Sequence, residues 1–113
     1  MITINKLREF GCNVDEGLAR CVNNEDLYLR LVNTLLKDNK VEELKEAIEN
    51  RDLDKAFQIA HSLKGVYGNL SITPLYNKIC VLVELLRNKT EIDYSSIVQE
   101  IYDLYQKFLS LAD

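Results

Sequence analysis

Apolar residues recur at helical spacing along almost the whole chain, and no segment alternates apolar and polar residues at period two. The clearest case is Leu75, Ile79, Leu82, Val83 and Leu86, which stand at i, i+4, i+7, i+8 and i+11 and line one face of a helix. Thr73 stands where its hydroxyl can cap that helix, and Pro74 suits the first helical position, where no backbone N–H partner is lost. The pattern ends near Arg87 and Asn88. Ile97, Ile101, Leu104, Phe108 and Leu111 repeat it, with Ser95 placed as a cap, and predict a last helix over 95–111.

Upstream, Asp15 is positioned to cap a short helix running through Cys21. Asn24 is positioned to cap a longer one carrying Leu27, Leu31 and Leu35, then Val41, Leu44 and Ile48. The two halves of that stripe differ in phase, so the helix is either continuous or broken at Asp38-Asn39. Asn50-Arg51-Asp52 reads as a turn, with Asp52 capping a helix through Lys55, Ile59, Leu63 and Val66 towards Leu70. These elements predict an all-α fold: an antiparallel up-down four-helix bundle with a short extra N-terminal helix.

A chain of 113 residues that is 47% hydrophobic can bury one core and not two, so residues 1–113 are expected to form a single domain. Fourteen Lys and Arg against eighteen Asp and Glu leave a net charge of -4, without the dense cationic face that nucleic acid requires. Cys12, Cys21 and Cys80 form no CxxC pair and have no His or second Cys at ligand spacing, so a metal site is not expected and reduced thiols are. No stretch approaches the roughly 18 apolar residues of a membrane span, and MITINKLREFG lacks the n- and h-regions of an export signal. The expected place is the cytoplasm, away from membranes.

One histidine is present, His61, in FQIAHSLKGVYGNLS. At about 100° per residue, Ile59, Leu63, Val66 and Leu70 fall within roughly 40° of the side opposite to it, which makes them the core stripe and turns His61 outward. Gly65 and Gly68 lie on the His61 side, flanked by Lys64 and Phe57. Each glycine inside a helix costs about 0.8–1 kcal/mol relative to alanine, and a bundle needs no such pair on its solvent face. A strip without side chains lets another protein approach the imidazole. Lys64 brings a mobile cation suited to a phosphoryl group, and Phe57 an aromatic suited to an interface. With an ordinary pKa of about 6.5, imidazole has a free nucleophilic nitrogen near neutral pH without an activating base. No second histidine, no paired Ser or Cys nucleophile and no glycine-rich nucleotide loop accompanies it, so the sequence shows no means of binding ATP.

The stretch AHSLKGVYGNL, Ala60 to Leu70, resembles the H-x-L-K-G pattern of histidine-containing phosphotransfer (HPt) domains, where it surrounds the phosphorylated histidine on a helix of a four-helix bundle. LARCVNNEDLYLRLV and TPLYNKI are also similar to bacterial members, so the resemblance spans most of the chain. It implies that His61 accepts a phosphoryl group, that Lys64 stabilises it, and that Gly65 clears space for the partner. Gly68 matches the small position that follows, and Gln58 and Ser62 are candidates for hydrogen bonds to the ring or the phosphoryl group. Ser71 departs from the pattern, since the family often has glycine after the leucine that ends the motif. The resemblance also implies the partners: receiver domains of response regulators, or a hybrid sensor histidine kinase, with Mg²⁺ carried by the receiver and no cofactor on this chain. A transient carrier of this kind needs no self-association, and a monomer is expected.

Plainer readings stand beside these. A lone histidine is by default a surface or packing residue, and Lys64 a solvated lysine. Phe57 can tuck against a neighbouring helix as readily as anchor an interface, and the two glycines can serve helix contact instead of access. The tyrosines Tyr28, Tyr67, Tyr76, Tyr94, Tyr102 and Tyr105 are expected to edge the core with hydroxyls in water. Glu42, Glu43, Glu46 and Glu49 read as a solvated helix face, and Cys80 as a buried small hydrophobe. A helical adaptor that binds receiver or kinase domains by contacts alone is the functional alternative.

Overall fold

The computed structural model describes all 113 residues as seven α-helices without strands: α1 (Ile4–Phe10), α2 (Val14–Arg20), α3 (Glu25–Leu36), α4 (Lys40–Glu49), α5 (Leu53–Asn69), α6 (Thr73–Arg87) and α7 (Ser95–Ser110). Helices α4 to α7 form the four-helix bundle, with α5 and α7 each packed against both α4 and α6. Neighbours run antiparallel: Gly68 near the end of α5 meets Tyr76 near the start of α6, and Arg87 at the end of α6 lies over Phe57 near the start of α5. Helix α3 precedes α4 on the far side of a break at Lys37–Asn39, where the Asp38 carboxylate accepts from the Lys40 N–H. The chain therefore breaks this helix in the place where its apolar stripe changes phase. No helix is long and apolar enough to cross a membrane.

Helix α5 buries Ala56, Ala60, Leu63, Tyr67 and its C-cap Leu70, spaced i, i+4, i+7, i+11 and i+14. This face is centred about 50° from the predicted stripe, towards Ala60 and Tyr67. Leu63 and Leu70 are buried as expected, whereas Ile59 and Val66 are only half-buried flanks. The reason is size: alanine lets a neighbouring helix come close, and the helix rolls to put the large Tyr67 ring inside, edge-on to Phe108 of α7 at 6.1 Å. Leu63 is 2% exposed, and truncating it to alanine is worth about 2–5 kcal/mol.

Two caps match the sequence reading: the Asn24 and Asp52 side chains accept from the N–H groups of Leu27 and Lys55. Three do not. Helix α2 is capped by Asn13, which accepts from Glu16 N–H, while Asp15 instead pairs with Arg8. Thr73 lies inside the first turn of α6, and its hydroxyl accepts from Asn13 N–H, so it ties the α1–α2 turn to α6 and caps nothing. Ahead of α7 the Asp93 carboxylate takes the capping role, accepting from both the N–H and the hydroxyl of Ser95, which holds its pKa below the usual carboxylate range. Helix α1 was not foreseen; Thr3 caps it and Gly11, at φ 107°, ends it in the left-handed conformation that glycine adopts freely.

Four of the six tyrosines are buried, against expectation. The hydroxyls of Tyr28, Tyr94 and Tyr105 donate to main-chain carbonyls of Leu70, of Leu85 and Thr90, and of Asp38. The Leu70, Thr90 and Asp38 carbonyls lie just beyond helix ends and have no backbone donor, so there the ring fills the core while the hydroxyl meets an otherwise unpaired group; the Leu85 carbonyl also accepts from Thr90 N–H. Cys80 is half-exposed, not buried; Cys12 and Cys21 are the buried thiols.

Candidate functional site

His61 sits midway along α5, exposed, on the side turned away from Leu63 and Tyr67. Helical side chains lean towards the N-terminus, so the imidazole lies back over the preceding turn and meets Phe57, with ring centroids 5.8 Å apart and planes tilted by 39°. Phe57 is half-buried, and the Arg87 guanidinium lies over its ring at 5.6 Å. Phe57 thus leans on α6 through Arg87, the helix-packing reading, and stands beside the histidine.

On the other side of His61 a groove of about 500 Å³ opens between the second half of α5, the start of α6 and α2. From α5 it takes His61, Lys64, Gly65 and Gly68. Gln58 and Ser62 are exposed on the same half of α5 but do not line the groove. Lys64 takes part in none of the chain's four ion pairs, which leaves its ammonium group available one turn from the imidazole.

The two glycines differ. A Cβ placed on Gly65 would meet nothing within 4 Å, so that position is open to solvent beside the histidine. A Cβ on Gly68 would stand 2.7 Å from Tyr76 Cε1, so the ring of α6 already occupies that space. Gly65 therefore gives access and Gly68 gives helix contact.

The far wall of the groove was not foreseen from sequence. It contains Glu16 and Arg20 of α2 and its cap Asn13, together with Ser71, Thr73, Tyr76 and Asn77. Arg20 donates to the carbonyls of Gly68 at 2.6 Å and Asn69 at 3.4 Å and to the Ser71 hydroxyl at 3.2 Å, and pairs with Glu16 at 3.1 Å. The Ser71 hydroxyl in turn donates to Glu16 at 3.0 Å. This network adds a charged donor to the carbonyls at the end of α5 and fastens α2 beside the histidine helix.

Ser71 itself has φ 56°, in the left-handed region that favours glycine. A sequence profile for the Hpt domain matches residues 31–110, from the middle of α3 to the end of α7. The chain belongs to the Hpt domain family. Among curated proteins and solved structures no match is found. Hpt domains are phosphotransfer modules of two-component phosphorelays, and the four-helix bundle found here is the architecture expected of one. The family's frequent glycine after the motif leucine now has a physical reason in this Hpt domain: the position must turn the chain with positive φ, and Ser71 does so with its side chain held by Glu16 and Arg20. Helix α2 and its cap Asn13 lie outside the matched residues yet supply part of the groove.

Proposed function

We propose that this Hpt domain relays a phosphoryl group between the aspartates of receiver domains through His61. The observation that carries the reading is an exposed imidazole next to the one helical glycine whose side-chain direction is empty, with an uncommitted lysine one turn away. In the transfer step a ring nitrogen of neutral His61 attacks phosphorus in line with the acyl phosphate. The N–P bond forms as the P–O bond to the aspartyl carboxylate breaks, the carboxylate leaves with the electron pair, and the proton on the other ring nitrogen is free to exchange with water. The onward step is the reverse, to a second receiver.

The chain's own residues supply placement. Leu63 and Tyr67 fix the roll of α5 that turns His61 outward, Gly65 leaves room for the receiver, and Lys64 meets the charge of the phosphoryl group. Gln58 and Ser62 complete the proposed contact region around the histidine, while Phe57 backs the imidazole and Gly68 seats Tyr76. The Mg²⁺ that such a transfer uses belongs to the receiver domain. The partners proposed are receiver domains of response regulators or of a hybrid sensor kinase, the protein acting as a monomeric cytoplasmic carrier without a nucleotide site.

The test is transfer from phosphorylated, radiolabelled receiver domains to wild type and His61→Gln, alongside receiver binding. Acid-labile, base-stable label on wild type and none on the variant is the expected result. Receiver binding that persists in both proteins with no label on either would replace the carrier by a contact-only adaptor.

A further inference from the structure

We propose that Phe57 is a positioning residue for His61, a role that rests on the carrier reading above and sharpens it. The imidazole has two torsions. On a helix χ1 is confined to two of its three wells and χ2 is broad and roughly two-fold, so an exposed histidine has about four orientations available. Only those that aim a ring nitrogen out of the surface can attack phosphorus in line.

In this chain the orientation is supported from one side. Phe57 lies one turn before His61, in the direction towards which helical side chains lean, and its ring meets the imidazole at 5.8 Å with a 39° tilt. Phe57 is itself held: it is half-buried, it packs against the core, and Arg87 of α6 lies over its ring at 5.6 Å. Arg87 is steadied in turn by Glu84, 3.5 Å away and three residues earlier on the same helix. The aromatic ring is thus clamped between α5 and the end of α6 while it offers the imidazole a place to rest. The opposite side of His61, towards Gly65, is empty. A platform on one side and open space on the other fix where the ring nitrogens point.

The experiment compares wild type with Phe57→Ala, Phe57→Leu and Phe57→Tyr. Loss of the platform spreads His61 over its four orientations, so the rate of transfer at saturating phosphorylated receiver is expected to fall about two- to fourfold in Phe57→Ala, by the larger factor if a single orientation is productive. Receiver affinity is expected to stay at the wild-type value. Phe57→Leu keeps apolar contact with the bundle and guards against an alanine variant that fails to fold; it is expected to transfer more slowly than wild type. Phe57→Tyr keeps the ring and is expected to restore the rate. An NMR readout accompanies these: the ring protons of His61 should lose their aromatic ring-current shift in the alanine and leucine variants and keep it in the tyrosine variant.

Wild-type saturated rates in Phe57→Ala and Phe57→Leu overturn the proposal, as do His61 ring signals that do not move. A weakened affinity with an unchanged saturated rate also overturns it, and makes Phe57 an interface anchor. If wild type itself accepts no label, the carrier reading fails; if wild type is labelled and the Phe57 variants match it, only the positioning role fails.

Discussion

Replacing Gly65 by alanine separates the demands of folding from those of the site. Gly65 lies within α5, a full turn before its end, and its missing Cβ would point into open space with no atom within 4 Å. Nothing in the folded chain therefore opposes alanine there, while alanine gains the helix propensity that glycine lacks, about 0.8–1 kcal/mol. For a domain of this size such a gain raises the melting temperature by about 4 °C. Gly68→Ala is the internal control, because its Cβ would stand 2.7 Å from Tyr76 Cε1 and 3.0 Å from Cδ1. The same propensity gain is then opposed by an overpacking cost of about 1–3 kcal/mol, for a net change between zero and a loss of about 2 kcal/mol. Urea and thermal unfolding followed by circular dichroism read both variants. Transfer from a phosphorylated receiver reads the site, with Gly65→Leu added to fill the open strip. The expected pattern is a more stable but slower Gly65→Ala and a folded, transfer-deficient Gly65→Leu. A Gly65→Ala protein less stable than wild type, or a Gly65→Leu protein that transfers at the wild-type rate, would refute the reasoning.

Other expectations concern neighbouring groups. Lys64→Ala should slow transfer about fivefold, the scale of a solvent-exposed charge contact of ~1 kcal/mol, and an unchanged rate removes the lysine from the mechanism. At Ser71 glycine relieves a left-handed conformation worth about 1 kcal/mol but loses the hydroxyl that bridges Glu16 and Arg20, whereas alanine keeps the strain and loses the bridge. Stability should fall in the order wild type, Ser71→Gly, Ser71→Ala; an alanine variant at least as stable as the glycine one contradicts this. Burial pushes the Cys12 thiol up to about 11, so it holds little thiolate at pH 8, while Cys80 is half-exposed. Alkylation of the folded protein should mark Cys80 first and reach Cys12 only on unfolding, and equal rates would show that the Cys12 region opens in the native state.

The helices of the bundle were legible because their apolar spacing runs for three to four turns, and Pro74 marks where α6 starts. Helix α1 was not, since its seven residues bury only Leu7 and leave no stripe to detect, although Thr3 and Gly11 bracket it as cap and stop. The choice of cap between Asn13 and Asp15 turns on where Arg8 lies, which is a tertiary fact; Arg8 takes Asp15 and leaves Asn13 to the helix. The tyrosine hydroxyls depend likewise on which helix ends come near them. At the site, the outward turn of His61 followed from the period of α5 alone, even with the stripe misplaced by about 50°. That Gly65 is open and Gly68 covered depends on the phase of α6, which sets Tyr76 over one and not the other. The wall supplied by Glu16 and Arg20 comes from residues some 40 to 50 positions upstream of the motif, and its one sequence trace was Ser71 at a position where the family often has glycine.

His61 is the chain's single histidine, so a phosphoryl group on it can be followed directly. Nitrogen-15 NMR of the imidazole, recorded before and after incubation with phosphorylated receiver and again after a second, unphosphorylated receiver is added, follows the group itself. One ring nitrogen is expected to shift to a phosphoramidate position on the first addition and to return on the second. An imidazole spectrum unchanged throughout, in a folded protein that binds both receivers, would contradict the carrier role of His61.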